Sequence, residues 1–175
     1  MLARFVKSPR TIGSVTPSSP ALGQALSKKI DPKGNGSVLE LGAGTGPITT
    51  QILERLASPD LLTCVEIDQQ MCARFRKSFP NIELIEQDCR EIGALFAGEN
   101  IGNIISSLPY RSLPQSTSDS IFEQKISLAD SQTIISLFTY DFVFANYHKR
   151  YPIRLIDSCS VVKNFPPARV YHYAI

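Results

Sequence analysis

Residues 38–46 read Val-Leu-Glu-Leu-Gly-Ala-Gly-Thr-Gly, a short apolar run followed by three glycines at alternate positions. The run is typical of a buried strand, and glycines directly after a strand let the backbone approach a bound nucleotide because they lack a Cβ atom. The spacing Gly42-x-Gly44-x-Gly46 differs from the dinucleotide fingerprint, whose third glycine comes one residue later, and no P-loop Lys-Ser/Thr pair follows. The pattern predicts a nucleotide-binding turn, and a glycine-rich turn of another α/β protein is the alternative.

Polar residues also follow three further predicted strands. These strands and their ends are 61–66 with Glu66, 82–87 with Asp88 and Cys89, and 101–106 with Ser106 and Ser107. Glu66 lies about 20 residues beyond the glycine turn, where a nucleotide site of this kind places an acid that accepts from both ribose hydroxyls. Because open α/β sheets bind ligands at the carboxyl edge of their strands, the ordered series predicts one site along that edge.

The Glu-x-Gly-x-Gly-x-Gly pattern from Glu40 to Gly46 resembles motif I of the Rossmann-like methyltransferases that bind S-adenosylmethionine. The resemblance implies that the acid after the third strand takes the adenine amino group and that the next backbone N–H meets a ring nitrogen. It implies a single organic cofactor and no metal. The cofactor-binding residues that it implies are Glu40, Gly42, Ala43, Gly44, Gly46, Glu66, Ile67, Asp88, Cys89 and Ser106.

Composition fits one domain in a reducing cytoplasm. The chain has 175 residues, four cysteines without C-x-x-C spacing and two histidines, which disfavours both a disulfide framework and a zinc site. The net charge of +2 argues against a dedicated duplex-binding surface, so we expect no obligatory nucleic-acid partner. There is no apolar run of about 18 residues to span a membrane and no signal-peptide-like start.

We divide the chain into an N-terminal basic or lid segment, 1–30, and a cofactor-binding domain, 31–175. Helices are predicted over 21–30, from Pro47, over 69–79 and over 115–126, with a fifth strand over 132–140 and an antiparallel pair, 153–162 and 168–174. As in the methyltransferases that the sequence resembles, we therefore expect an α/β fold. Its seven-stranded, mostly parallel sheet carries helices on both faces and an antiparallel C-terminal strand pair.

The first ten residues combine basic and apolar side chains. Arg4, Lys7 and Arg10 accompany Phe5 in a short amphipathic turn that could dock on an anionic bilayer, and 11–19 could fold over the cofactor as a lid. The alternatives are ordinary solvated charges and a frayed terminus.

Residues 107–110, Ser-Leu-Pro-Tyr, are similar to the Asn/Asp/Ser-x-Pro-aromatic motif of enzymes that methylate amino nitrogens. The similarity implies that Ser107 and the carbonyl of Leu108 hold the acceptor amine and that Tyr110 packs on it. The ribosomal RNA adenine dimethyltransferases carry Asn at the first position and add a helical RNA-binding domain. This sequence ends before such a domain, which favours a substrate other than RNA.

A second family fits more of the chain. The glycine-rich block 38–46 and the stretches 11–19, 106–109, 138–140 and 164–170 occur in an order that resembles bacterial phospholipid N-methyltransferases. The resemblance implies methylation of phosphatidylethanolamine towards phosphatidylcholine by a cytoplasmic enzyme bound peripherally to the inner face of the membrane. Phosphatidylethanolamine is the expected acceptor, and the sequence does not separate it from another aminolipid such as an ornithine lipid. Tyr110, where the lipid family commonly has an aliphatic residue, keeps adenine N6-methylation of nucleic acid as the alternative.

The implied chemistry is an in-line displacement in which the amine attacks the methyl carbon and S-adenosylhomocysteine leaves. Alignment of the reacting atoms supplies most of the acceleration. An apolar pocket would favour the neutral amine, and aromatic rings suit the cationic products through cation–π contacts. Candidates for such rings are Tyr110, Tyr140 and Phe165, although Tyr140 and Phe165 are equally compatible with core positions.

Overall fold

The computed structural model describes residues 18–34, 36–140 and 149–175. Its strands are β1 Ser37–Leu41, β2 Leu62–Glu66, β3 Glu83–Glu86, β4 Ile101–Ser106, β5 Ile134–Thr139, β6 Arg154–Val161 and β7 Ala168–Ala174. Its α-helices are α1 Pro20–Leu26, α2 Thr49–Leu53, α3 Gln69–Ser78, α4 Ile92–Leu95 and α5 Gln115–Leu128. Short 3-10 turns cover Ser27–Lys29, Pro59–Leu61 and Tyr110–Ser112.

These strands form one seven-stranded sheet in the order β3-β2-β1-β4-β5-β7-β6. The first five are parallel where they pair, with Val38 opposite Leu62 and Leu39 opposite Ile104. Strand β7 runs antiparallel to both β5 and β6. The predicted seven-stranded, mostly parallel sheet with an antiparallel C-terminal pair is confirmed.

Helices cover both faces of the sheet, as predicted. On one face α4 and α5 bury Ile92, Ile121 and Phe122 against the sheet. On the other face α1 and α3 bury Leu22 and Phe75 among a second cluster. Parallel strands need this double cover because both of their faces are apolar.

Helix boundaries show where local patterns were insufficient. Helix α1 begins at Pro20, where Ser19 Oγ accepts from Leu22 N–H (3.3 Å), but it ends at Leu26 and continues as a 3-10 turn rather than reaching residue 30. Helix α3 begins at Gln69 as predicted, because Asp68 caps it by accepting from two backbone N–H groups, and it ends at Ser78, one residue before the predicted end. Helix α4 was not predicted, since one turn is too short to show a helical period.

The strand order places a crevice at the carboxyl ends of β1 and β4. The chain leaves β1 for β2 and β3 and then returns to β4 on the other side of β1, which makes this the topological switch point where such sheets bind ligands. Pairing of Thr139 with Arg169 and of Val161 with Ala168 puts the β6–β7 hairpin tip at the same edge. In the described ranges, no helix is both long and apolar enough to cross a bilayer.

Candidate active site

The glycine turn after β1 combines left-handed backbone with close packing. The φ angles are +75° at Gly42, +61° at Gly44 and +91° at Gly46, values that residues other than glycine rarely adopt. A Cβ on Gly42 would lie 2.6 Å from Leu108 Cδ2, and one on Gly46 would lie 2.1 Å from Phe79 Cε2. A Cβ on Gly44 would meet only Met71 Sδ, at 3.9 Å. Gly44 therefore exposes its backbone to open space, which fits the cradle expected for a nucleotide-like cofactor.

Glu66 fastens this turn to the end of β2. Its Oε2 accepts from Gly44 N–H (2.9 Å), and its Oε1 accepts from the N–H groups of Ile67 (2.8 Å) and Asp68 (2.9 Å). A carboxylate offers about four acceptor sites, so these three bonds leave capacity for a ribose hydroxyl. Glu66 thus shapes the cradle, and its contact with the ribose hydroxyls stays a prediction.

Asp88, after β3, is held by Arg90. Both carboxylate oxygens accept from the Arg90 side chain, the shortest contact being 2.6 Å from Nη2, and Oδ1 also accepts from Arg90 N–H. Burial opposes ionisation of Asp88, but the hydrogen bonds from Arg90 keep its pKa below the ordinary value. Because Arg90 donates to both oxygens of Asp88, an adenine amino group that reaches Asp88 must share the carboxylate with Arg90 or displace it.

Glu40 is the buried acid that joins the cofactor strand to the predicted catalytic motif. Its Oε2 accepts from Thr49 Oγ1 (2.6 Å) and from the Cys64 thiol (3.4 Å), and its Oε1 accepts from Ser107 Oγ (3.5 Å). Burial raises the pKa of Glu40 to about 7, in spite of these hydrogen bonds. Glu40 is fully buried, and it touches the predicted catalytic motif through Ser107. Its direct contact with the cofactor stays a prediction.

The catalytic motif lies directly against the glycine turn. Ser107 N–H donates to Leu41 O (2.8 Å) at the end of β1, and the Leu108 side chain covers Gly42. The Leu108 carbonyl accepts from Tyr110 N–H (3.0 Å), which leaves one of its two lone pairs for an acceptor amine. The half-buried Ser107 and this carbonyl are therefore next to the cradle, as the motif requires.

Behind the motif, a buried chain of hydrogen bonds runs into the core. Ser106 Oγ is 2.7 Å from the Tyr110 hydroxyl, which accepts from Lys125 Nζ (2.8 Å). Lys125 is fully buried, and its ammonium group lies 3.6 Å from the centre of the Phe122 ring. Burial lowers the pKa of Lys125 to about 7. Tyr110 thus points its hydroxyl into the core and is only 8% exposed.

The other two aromatic candidates lie elsewhere. Tyr140 is half-buried, packs edge-on against Phe138 at 5.2 Å and belongs to the cluster on the opposite face of the sheet from Tyr110. Burial raises the pKa of Tyr140 above its ordinary value, and a hydrogen bond with Asn164 only partly opposes this rise. Phe165 is 77% exposed, so the alternative that it is a core residue is wrong. A role of these rings in binding the amine stays a prediction.

The structure gathers the predicted strand-end residues along one edge. They are Glu40, Gly42, Ala43, Gly44 and Gly46 at β1, Glu66 and Ile67 at β2, Asp88 and Cys89 after β3, and Ser106, Ser107, Leu108 and Tyr110 at β4. The predicted membrane residues Arg4, Phe5, Lys7 and Arg10 lie outside the described residues. Across the described part of the chain, no group of three or more His, Cys, Asp or Glu side chains could hold a metal ion.

Sequence reasoning missed Thr49, Arg90 and Lys125. Lys125 had a usable signal, because it falls at helical spacing between Ile121 and Leu128, on the inner face of α5. Thr49 had none, since it reaches Glu40 only when α2 folds back beside β1. Arg90 lies two residues after Asp88, so its contact is local and the Asp-x-Arg spacing was a usable signal.

The sequence model of the ribosomal RNA adenine dimethylase family matches residues 18–140. The chain belongs to that family. It is an S-adenosylmethionine-dependent methyltransferase, so the predicted enzyme class and cofactor are confirmed. The open side of Gly44 and the acids at the ends of β2 and β3 fit that cofactor.

Individual relatives differ in how much of the chain they match. The ornithine lipid N-methyltransferase of Singulisphaera acidiphila is 29% identical over 180 residues, which is 97% of this chain and 92% of the relative. The ribosomal RNA small subunit methyltransferase A of Bordetella pertussis is 29% identical over 89 residues, covering 50% of this chain and 32% of that relative.

Among solved structures, the glycopeptide N-methyltransferase MtfA in complex with S-adenosylmethionine superposes with a TM-score of 0.72. The superposition covers 95% of this chain and 99% of the other at 13% sequence identity, so it shows the shared fold alone. The predicted Rossmann-like methyltransferase architecture is confirmed.

Proposed function

We propose that this protein methylates the amine of a membrane aminolipid, with phosphatidylethanolamine as one candidate acceptor and an ornithine lipid as the other. The observation that carries the proposal is the similarity to an ornithine lipid N-methyltransferase along nearly the whole of both chains. The similarity to a ribosomal RNA methyltransferase covers only half of this chain. The family match covers residues 18–140 and leaves out β6 and β7. Family membership alone is therefore compatible with both substrates.

The residues of the motif suit an amine acceptor. When bound, S-adenosylmethionine supplies an electrophilic methyl group. Ser107 Oγ and the free lone pair of the Leu108 carbonyl hold the amine beside the glycine turn. The contact of the Leu108 side chain with Gly42 sets the distance between these two groups and the turn. Positioning of this kind accounts for most of the acceleration that the protein must supply. The apolar side chains around Leu108 exclude water and favour the neutral, nucleophilic amine.

The location that we propose is peripheral, at the inner face of the cytoplasmic membrane. A lipid amine lies at the bilayer surface, so the carboxyl edge of the sheet must face that surface. The basic and apolar sequence around Arg4, Phe5, Lys7 and Arg10 supports a contact with anionic headgroups.

The direct test uses methyl-labelled S-adenosylmethionine with vesicles that contain phosphatidylethanolamine and an anionic lipid, and with matched vesicles that carry ornithine lipid. Label in the lipid extract supports the proposal, and chromatography of the products identifies the acceptor and counts the methyl groups. A Glu66→Ala variant, which loses the anchor of the cofactor turn, is the control for label that does not depend on the enzyme.

Adenine N6-methylation of ribosomal RNA is the second candidate, favoured by the family match and by Tyr110. A parallel reaction with small-subunit RNA distinguishes the two. Label in RNA and none in lipid would replace the lipid proposal.

A further inference from the structure

The hairpin tip between β6 and β7, residues 162–167, presents apolar side chains to solvent. Val162 is 75% exposed and Phe165 is 77% exposed, and the exposed Lys163 lies between them. Large apolar side chains are normally buried. Two of them beside a lysine on one loop form an exposed apolar patch and are not isolated surface residues.

This tip is held in place by a buried polar bracket. Asn164 is 3% exposed; its Oδ1 accepts from Ser19 N–H (2.9 Å), and its Nδ2 donates to Pro166 O (2.8 Å). One asparagine therefore ties the tip to the start of α1 and fixes its own loop. These hydrogen bonds hold the loop in the conformation that leaves Val162 and Phe165 exposed.

Its position and charge match a lipid surface. The strand pairing puts the tip at the carboxyl edge, beside the predicted methylation site. No acid occurs after Asp157, so no carboxylate of the tip would repel an anionic headgroup. On a bilayer, Lys163 would meet a headgroup phosphate while its apolar neighbours enter the acyl-chain region. A cavity of about 300 Å³ between α1 and β6, lined by Ala21, Ala25, Val161 and Val162 among others, continues the apolar surface beside the tip.

We infer that residues 162–165 form a membrane-docking tip, with Val162 and Phe165 among the acyl chains of the facing leaflet and Lys163 at its phosphates. The inference rests on the proposed function, because it explains how the sheet edge is presented to a lipid amine. RNA is the less suitable partner for this tip. The tip offers one cation and two apolar side chains, whereas a phosphate backbone requires several cations.

Insertion can be measured directly because the chain contains no tryptophan. A Phe165→Trp variant supplies a single probe at the tip, and we expect its emission to shift to the blue on vesicles with anionic lipid and to be quenched by brominated acyl chains. The matched control is Ile156→Trp, which puts the probe on an exposed apolar position at the other end of β6. Equal responses at both positions, a response at neither, or a response to RNA instead of vesicles would overturn the inference.

A second experiment separates docking from catalysis. The double variant Val162→Ser/Lys163→Ser is compared with Ile156→Ser/Arg154→Ser, which also removes one exposed apolar residue and one cation from β6. We expect the tip variant to lose at least tenfold in vesicle sedimentation and in methylation of vesicle lipid, and to keep the wild-type rate on a short-chain, water-soluble aminolipid. Unchanged vesicle binding, or an equal loss on the soluble lipid, would contradict docking.

The two proposals fail in different ways. If wild-type protein methylates vesicle lipid and the tip variant does so equally well, the docking tip is wrong and the proposed function stands. If wild-type protein methylates no lipid in any form but Phe165→Trp still enters the bilayer, the proposed function is wrong and the tip stands.

Discussion

The cofactor edge, formed by β1, β2 and β3, and the corner formed by β5, β6 and β7 use opposite designs. At the cofactor edge, Glu40, Glu66 and Asp88 are each at most 7% exposed, and hydrogen bonds from backbone or side chains occupy all three carboxylates. At the corner, Val162 and Phe165 face solvent above one buried asparagine. The first region is shaped before its ligand arrives, whereas the second offers a surface that only an outside partner can cover.

The largest effect that we expect comes from overfilling the cofactor edge. Gly46→Ala adds a Cβ 2.1 Å from the Phe79 ring at a φ of +91°. Steric overlap costs about 1–3 kcal/mol, and left-handed backbone at a residue with a side chain costs roughly 1–2 kcal/mol more. We expect a large drop in the free energy of unfolding, measured by urea denaturation. Gly44→Ala is the matched control, because it carries the backbone strain without the overlap. Equal losses in the two variants would mean that Phe79 does not confine the turn.

Next in size is the loss of Glu66. Glu66→Ala leaves the N–H groups of Gly44, Ile67 and Asp68 without their charged acceptor and removes the predicted ribose contact. Hydrogen bonds to charged groups contribute about 1.5–3 kcal/mol, so we expect S-adenosylmethionine to bind roughly 100-fold more weakly in calorimetry. Glu99→Ala, at an exposed acid, is the control and should bind normally. Unchanged affinity in Glu66→Ala would exclude Glu66 from the cofactor site.

A third effect concerns the buried lysine behind the motif. Burial lowers the pKa of Lys125 to about 7 in the folded state, whereas the unfolded chain titrates near 10.5. Between these values the unfolded state binds more protons, so the lysine destabilises the fold fully below about pH 7, and this cost disappears as the pH rises towards 10.5. The neighbouring titratable groups are the Tyr110 hydroxyl and the Cys89 thiol. Burial raises the pKa of Cys89 to about 12.

We therefore expect Lys125→Met to be more stable at pH 7, by about 1 kcal/mol or more, since apolar replacement of buried charge is often favourable. The rise of stability with pH between 7 and 10 should be flatter in the variant than in the wild type, measured by denaturation across that range. Lys77→Met, at an exposed lysine of α3, should keep the wild-type slope. A variant with the wild-type slope would show that Lys125 titrates normally.

The smallest effect tests whether the two regions are independent. Asn164→Ala removes the bonds to Ser19 N–H and Pro166 O, which costs about 1–2 kcal/mol of stability. We expect weaker vesicle binding with unchanged affinity for S-adenosylmethionine. Ser127→Ala, which loses one exposed local hydrogen bond, is the control. A fall in cofactor affinity in Asn164→Ala would show that the corner and the cofactor edge are coupled.

Strands were the most predictable elements of the fold. The prediction over 101–106 matches β4 residue for residue, and the one over 168–174 matches β7, because runs of apolar and β-branched residues with clear end signals carry their own information. Helices were predicted less well. The stop of α1 at Leu26 and the single turn of α4 depend on neighbouring elements rather than on local spacing.

The acids of the candidate site were predictable in the same way, because each follows a strand whose position in the sheet is typical of this fold. Their environment was not. The contacts of Glu40 with Ser107 and of Lys125 with Tyr110 join residues 67 and 15 positions apart. Only the pairing of β1 with β4 and the packing of α5 against the sheet bring them together.

The sequence by itself determined the order of the strands along the chain and the residues at their carboxyl ends, because these follow from glycine conformation and short-range periodicity. The cofactor class came from the resemblance of residues 40–46 to motif I of a known family. The tertiary structure alone decided which polar groups are buried and which apolar groups are exposed. It buried Lys125 and Glu40 and brought the pKa of each to about 7, and it left Val162 and Phe165 in solvent. The physical reason is that desolvation depends on atoms from distant segments, and no local pattern records them.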